Sequence, residues 1–403
     1  LTCSPGAEVS MTVSMRVMSA GDGYKYLLKT VAAADGDRPL STPLTRYYME
    51  EGTPPGRWLG AGVAALGKGE IQVGDRVSEH QLQLLMGTGR DPITDQPLGR
   101  AFPTYKSQEA RIEARIADLE PTMTPGAKGE AVAQIVAEET IRSTRRAVAG
   151  FDFTFSIPKS ASVLWAVADA GVQALIAEAH HRAVAEVVAF MEREVAATRT
   201  GATAGDGAVA QVDVTGLIAT AFDHYDSRAG DPHLHTHVVI SNKAKTVLDG
   251  KWRSLDGRPM HSAVVALSEL HEAVFADHMT RAFGVSWEAR EMGRDHNPAW
   301  AITGVPEELI AEFSTRARHI DAETDRLIAE YVATHGRRPT PAAIMKHRAQ
   351  ATLATRPEKQ VRSLADLTAE WRDRATKTLG QDATTWAREI TDNDKPLLLR
   401  ADD

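Results

Sequence analysis

Cysteine is almost missing from this chain: among 403 residues there is one, Cys3. A lone thiol excludes an internal disulfide framework and suits a reducing compartment, so the expected location is cytoplasmic. Long apolar runs are also lacking. None approaches the roughly 18 residues of a spanning helix, which predicts no membrane insertion. Leu1 to Ser10 has neither the basic start nor the apolar centre of a secretory signal, and residues 1–10 are expected to be a non-native or disordered extension. Positive charge is in deficit, with 46 Lys and Arg against 54 Asp and Glu and a net charge of −8. That balance argues against a protein that coats nucleic acid indiscriminately. It leaves room for an enzyme with a locally basic site, because distant charges are screened beyond about 10 Å.

What is present describes an ordinary globular chain, 43% apolar and 25% charged, long enough for one large domain or two. Residues 11–18 alternate like a strand, and Tyr24 to Ala33 read as a short helix after the Gly21-Asp22-Gly23 turn. Helical periodicity covers 78–87, 107–119 and 130–147, with 120–130 read as loop because it holds Pro121, Pro125 and Gly126. Phe151 to Ser156 alternates aromatic and polar, the pattern of a half-buried strand that Pro158 ends, and a helix follows at about Ser160. The pattern then predicts a long helix over 174–197, strands over 210–223, 234–242 and 246–253, and a helix over 267–283. From about residue 300 the chain turns into successive amphipathic helices. This predicts an α/β body over 11–300 and a helical appendage over 301–403.

Four of the fourteen histidines fall between His224 and His237. Residues i and i+2 of a strand share a face about 6.8 Å apart, so His235 and His237 can reach one ion together. His233 lies about 13 Å from His237 along an extended strand, too far to converge well. His224, at the end of the preceding strand, is the better third ligand, with Ser227 to Pro232 as the turn between. Three neutral imidazoles with open positions are the pattern of a catalytic metal site. The competing reading is a histidine group in core or solvent that holds no metal.

Four of seven tyrosines lie within residues 24–48, as Tyr24/Tyr26 and Tyr47/Tyr48. A phenol is a weak nucleophile without a metal or base to help it. Beside a three-histidine site, tyrosines suit phosphodiester transfer through a covalent phosphotyrosine. Asp152 is placed to orient a ligating histidine or to accept the tyrosine proton. Lys159, Arg228, Lys243 and Arg253 are candidate DNA contacts, against the alternative that such charges form a solvated face. Gly62 to Lys68 matches Gly-x4-Gly-Lys, but Gly69 stands where a phosphate-binding loop needs Ser or Thr, and no buried strand precedes it.

Taken together, these segments resemble the MobF-type (TraI/TrwC-like) conjugative relaxases of the HUH endonuclease superfamily. Gly150 to Ser162 is similar to the family's strand–turn–helix, and His224 to Arg228 with Asp231 to His237 resembles its three-histidine motif. Ser19 to Tyr24, Tyr47 to Gly52 and Trp58 to Gly60 resemble the tyrosine segments and the tryptophan turn. The tyrosines precede the histidines, as in relaxases, whereas in rolling-circle initiators they follow. The resemblance implies an α/β (α+β) fold: a central antiparallel sheet, or palm, over 11–300, with helical fingers over 301–403 that close over DNA. It implies His224, His235 and His237 as ligands of a divalent ion, Mg²⁺ or Mn²⁺, in a site that Zn²⁺, Ni²⁺ or Co²⁺ also fit. Asp152 would support them. The implied partners are single-stranded oriT DNA, relaxosome accessory proteins and a coupling protein. The implied reaction is nicking by tyrosine transesterification, leaving a 5′-phosphotyrosine and a free 3′ hydroxyl. Lys25 separates Tyr24 from Tyr26 where the family usually has adjacent tyrosines, so the nucleophile stays open, with Tyr24 favoured over Tyr26 and Tyr47 or Tyr48 kept for a second transfer. Members usually carry a C-terminal helicase, and no Walker motif follows here. A replication-initiator nickase, a non-cleaving single-stranded DNA-binding module and a water-using metallohydrolase remain as alternatives.

Overall fold

The computed structural model describes residues 12–28, 54–120, 122–142, 146–201, 209–291, 298–357 and 362–392. Tyr47 and Tyr48 lie outside them. Among the described residues the strands are β1 (Val13–Ser19), β2 (Arg57–Leu59), β3 (Val148–Ser156), β4 (Ala197–Thr200), β5 (Ala210–Asp213), β6 (Ala219–Asp226), β7 (Pro232–Ser241), β8 (Lys243–Lys245), β9 (Trp252–Ser254), β10 (Trp287–Arg290) and β11 (Ala299–Ile302). Five of them form the central antiparallel sheet in the order β1-β3-β7-β6-β2, and the rest pair as two-stranded ribbons.

The alternation of β3 explains the sheet's two faces. Phe151, Phe153 and Phe155 point to one side, where Val184, Val187 and Met191 of the helix Ala170–Glu194 and Met260 and Leu267 of the helix Gly257–Phe283 cover them. Asp152, Thr154 and Ser156 point to the other. There Met18, Tyr24, Leu27, Trp58, Leu85, Met86 and Phe222 close over one end of the sheet, and the histidines occupy the other end. β7 is central and covered on both faces, which is why its Val238-Val239-Ile240 run reads as continuously apolar.

The helices after residue 300 do not stand apart. Phe313, Trp371 and Trp386 share one core with Trp165 of the helix Lys159–Val167 and Phe275 of the helix Gly257–Phe283. Several boundaries shift from the sequence reading. The stretch 120–130 contains a helix start: Thr124 caps the helix Pro125–Ile141, with Pro125 at the first turn where its missing N–H costs nothing. The strand expected over 210–223 is two, β5 and β6, interrupted over 214–218. Gly67 to Gly69 is a short 3₁₀ turn, and the Gly67 amide donates to Asp91 Oδ2 at 2.9 Å, so the phosphate-loop look-alike has no free cradle there.

Candidate metal centre

Register assembles the histidines. On β6, His224 lies opposite His235 of β7, and His237 is two residues further along β7 on the same face. Their ligand nitrogens all lie within 4.8 Å of one another, close enough for one ion. The loop between the strands is self-supporting. Ser227 N–H donates to Asp231 O at 2.8 Å, Gly230 N–H donates to Ser227 O at 3.0 Å, and Gly230 takes φ +77, which only glycine adopts without strain. The register slips between His224 and Asp226, a bulge that leaves Tyr225 stacked on Trp165 in the helical core.

Second partners fix which nitrogens are left to bind an ion. His235 Nδ1 donates to the carbonyl of His233 at 2.7 Å, and a carbonyl only accepts, so its Nε2 carries the lone pair. His237 Nδ1 contacts Asp152 Oδ1 at 2.9 Å, leaving Nε2 for a ligand role. Burial, then the neighbouring histidines, holds His235 well below the usual imidazole range, so it is neutral at neutral pH. His233 is brought down to about 3 by burial and by Lys159. It stands beside His235 with ring centroids 4.5 Å apart and outside the ligand group. The donor set fits a divalent ion: three imidazoles, two with their second nitrogens anchored.

The two early tyrosines part company. Tyr24 is buried, and its ring packs with Met18, Leu27 and Leu85. Tyr26 is 39% exposed, its hydroxyl donates to Asp152 Oδ2, and its ring stands edge-on to His237 with centroids 6.0 Å apart. The reason is helical geometry: two residues along a helical turn point to nearly opposite sides. Asp152 thus joins Tyr26 to His237. Burial, then Asp152's charge, raises the Tyr26 pKa, while Arg16 pulls it down.

The four candidate DNA contacts divide. Arg228 sits in the loop between the ligand strands, with Nη1 3.4 Å from Pro357 O. Lys159 is half-buried at the start of its helix and donates to Pro232 O at 2.7 Å, its pKa lowered to about 8 by burial. Lys243 departs from expectation. It is buried, its ammonium donates to Arg100 O and lies over the Phe102 ring, so it holds a loop against the sheet. Arg253 makes a bidentate pair with Asp249 at 2.6 and 2.8 Å that closes the β8–β9 turn.

Sequence reasoning missed the network on the reverse face. Asp223 and Thr236 alternate with the converging histidines, so they point the opposite way. Thr236 Oγ1 donates to Asp223 Oδ1 at 2.6 Å, His180 Nε2 lies 2.9 Å from Thr236 Oγ1, and Arg57 Nη1 reaches Asp223 at 2.6 Å. Burial opposes the charge of Asp223, but Arg57 and His181 outweigh it and hold the carboxyl well below its usual range. The adjacency of Asp223 to His224 was the available signal.

Comparison with known proteins agrees with this geometry. A family model for TrwC relaxase matches residues 20–378. The multifunctional conjugation protein TraI of Escherichia coli is 29% identical over 259 residues, and TraI of strain K12 is 30% identical over 197. Those matches take in 60% and 46% of this chain but 14% and 10% of the relatives, so the chain spans a small part of their length. A metal-bound conjugative relaxase TrwC in complex with OriT DNA superimposes with a TM-score of 0.57 at 23% identity, over 92% of this chain and 99% of that one. The TrwC complex with a mutant OriT DNA gives 0.58 at 25% identity over the same shares. The antiparallel palm with flanking helices is therefore the relaxase fold. Among the described residues no helix is long and apolar enough to cross a membrane.

Proposed function

The chain belongs to the TrwC relaxase family, and from that membership we propose that it nicks single-stranded transfer-origin DNA through a covalent phosphotyrosine, with Tyr26 as nucleophile. The observation that carries this is the relay from the Tyr26 hydroxyl to Asp152 and from Asp152 to His237, one of three converging histidines. Tyr26 Oη attacks the scissile phosphorus as the bond to the 3′ oxygen breaks. Its proton passes to Asp152 Oδ2, to which the hydroxyl already donates, and from there to the departing 3′ oxygen. The reverse steps rejoin the strand, because the phosphotyrosine keeps the energy of the phosphodiester. His224, His235 and His237 would hold the ion, Mg²⁺ or Mn²⁺ in cells, with Asp152 orienting His237. Held there, such an ion would supply positive charge that stabilises the developing charge on the phosphate. Tyr24 supports the wall behind Tyr26, and Tyr47 or Tyr48 is left for a second transfer. The helices after residue 300 close over the strand. In this reading the enzyme is cytoplasmic and meets relaxosome accessory proteins and a coupling protein.

The test is a denaturing gel of protein incubated with Mg²⁺ or Mn²⁺ and single-stranded oligonucleotides tiling candidate transfer origins. We expect a slow-migrating adduct that chelator abolishes, that Tyr26→Phe loses and that Tyr24→Phe keeps. An adduct surviving in Tyr26→Phe would overturn the nucleophile. Cleavage without adduct would indicate water as nucleophile, and tight binding without cleavage would indicate a binding module.

A further inference from the structure

The helical segment brings two arginines to the loop between the ligand strands. Arg316, in the first turn of the helix Thr315–His335, donates to Thr355 O at 2.6 Å and to Thr352 O at 2.6 Å. Arg356 follows on that same stretch, and Arg228 reaches it from the loop through Pro357 O. Arg16 completes the group from β1, in register opposite Asp152. Three separate parts of the chain thus contribute four guanidinium groups, of which Arg16 lies in register opposite Asp152 of the tyrosine relay.

The arrangement is unfavourable by itself. Like charges drawn together and partly dried repel. Burial, then Arg356, Arg316 and Arg16, lowers the pKa of Arg228, and Asp226 pulls the other way without prevailing. Burial and then Arg356 lower that of Arg316. In a chain with more acids than bases, carboxylates were available to neutralise the group. Yet among the described residues no salt bridge is formed by any of the four. Nearby Arg374, by contrast, is paired to Asp231 and Glu312. A cluster kept out of ion pairs is built for an anion that arrives from outside. Four groups spread over β1, the loop and the helical segment fit successive anions, and guanidinium matches phosphate oxygens in bidentate fashion.

We propose that Arg16, Arg228, Arg316 and Arg356 form a phosphate track for the DNA backbone flanking the scissile bond, with the helical segment supplying half of it. This rests on the reading of the chain as a single-strand nicking enzyme. The strand then bridges palm and helices, and its charge removes the repulsion between them.

The probe is a fluorescein-labelled single-stranded oligonucleotide of mixed sequence, titrated with the full chain over a range of salt concentrations. The double variant Arg228→Gln/Arg356→Gln, and separately Arg16→Gln, should bind more weakly. The slope of log K against log salt should become shallower by about 0.7 for each phosphate that is no longer neutralised. Arg228→Lys/Arg356→Lys should retain most of the slope, which a defect in folding would not do. Metal affinity of the histidines should be unchanged in every variant. If the wild type binds the strand and forms its tyrosine adduct while the Gln variants keep the full slope, the track is overturned and the nicking function stands. If the wild type does not bind single strands, both fall together.

Discussion

Asp152 carries more of the site than its sequence context announces. One oxygen takes the Tyr26 hydroxyl and the other takes Nδ1 of His237, so a single carboxylate couples the proposed nucleophile to one of the three converging histidines. Two consequences separate on substitution. Asp152→Asn keeps the shape but loses the charge that anchors the His237 tautomer. We expect about a 10–100-fold loss of divalent-ion affinity, read by calorimetry with Co²⁺ or Mn²⁺. Unchanged affinity would confine Asp152 to the tyrosine proton. Tyr24 and Tyr26 show how little separates core from site. One intervening lysine rotates the first ring into apolar packing and the second toward the histidines, and no compositional signal distinguishes them.

At the level of elements, the loop between β6 and β7 is clasped by distant helices. The helix Thr315–His335 starts at Ser314, whose own side chain makes no cap. Asp231 caps it instead, accepting from Thr315 N at 2.8 Å while also pairing with Arg374. Trp371 Nε1 donates to Gly230 O at 2.8 Å on the same loop. Asp231→Ala removes a borrowed cap and one of the carboxylates that hold Arg374, so we expect about 1–3 kcal/mol of destabilisation in urea unfolding. Because the clasp positions the strand ends, the same variant should also bind metal more weakly. A loss under about 0.5 kcal/mol with metal binding intact would mean the contact is incidental.

For the molecule as a whole, burial of neutral histidines sets the acid limit. Burial lowers His233 to about 3 and His271 to about 4, and holds His180 and His235 well below the ordinary range. The unfolded chain therefore binds more protons than the folded one between those values and about 6.5, and stability falls as pH drops through that window. Glu272, raised to about 7 by burial and Glu269, acts in the opposite sense between about 4.5 and 7 and cancels one proton. Asp223, depressed when folded, extends the loss below about 4. With chelator present, unfolding near pH 5 should take up about two to three protons, each about 1.4 kcal/mol per pH unit. Urea midpoints that stay level from pH 6.5 to 4.5 would contradict this.

Sequence by itself determined the things that depend on local period and composition. The alternation of Phe151 to Ser156 already assigned Asp152 to the face away from the phenylalanines, and His235 with His237 already shared a face, because side-chain direction on a strand repeats every two residues. The choice of His224 as third candidate followed from the turn between two strands. Tertiary structure alone decided what depends on residues far apart in the chain. It turned Tyr26 rather than Tyr24 to Asp152, 126 positions away, withdrew Lys243 and Arg253 into structural contacts, capped a helix with an aspartate 84 positions distant and gathered four arginines from three segments. Those outcomes turn on docking angle and register between elements, which no local pattern of residues encodes.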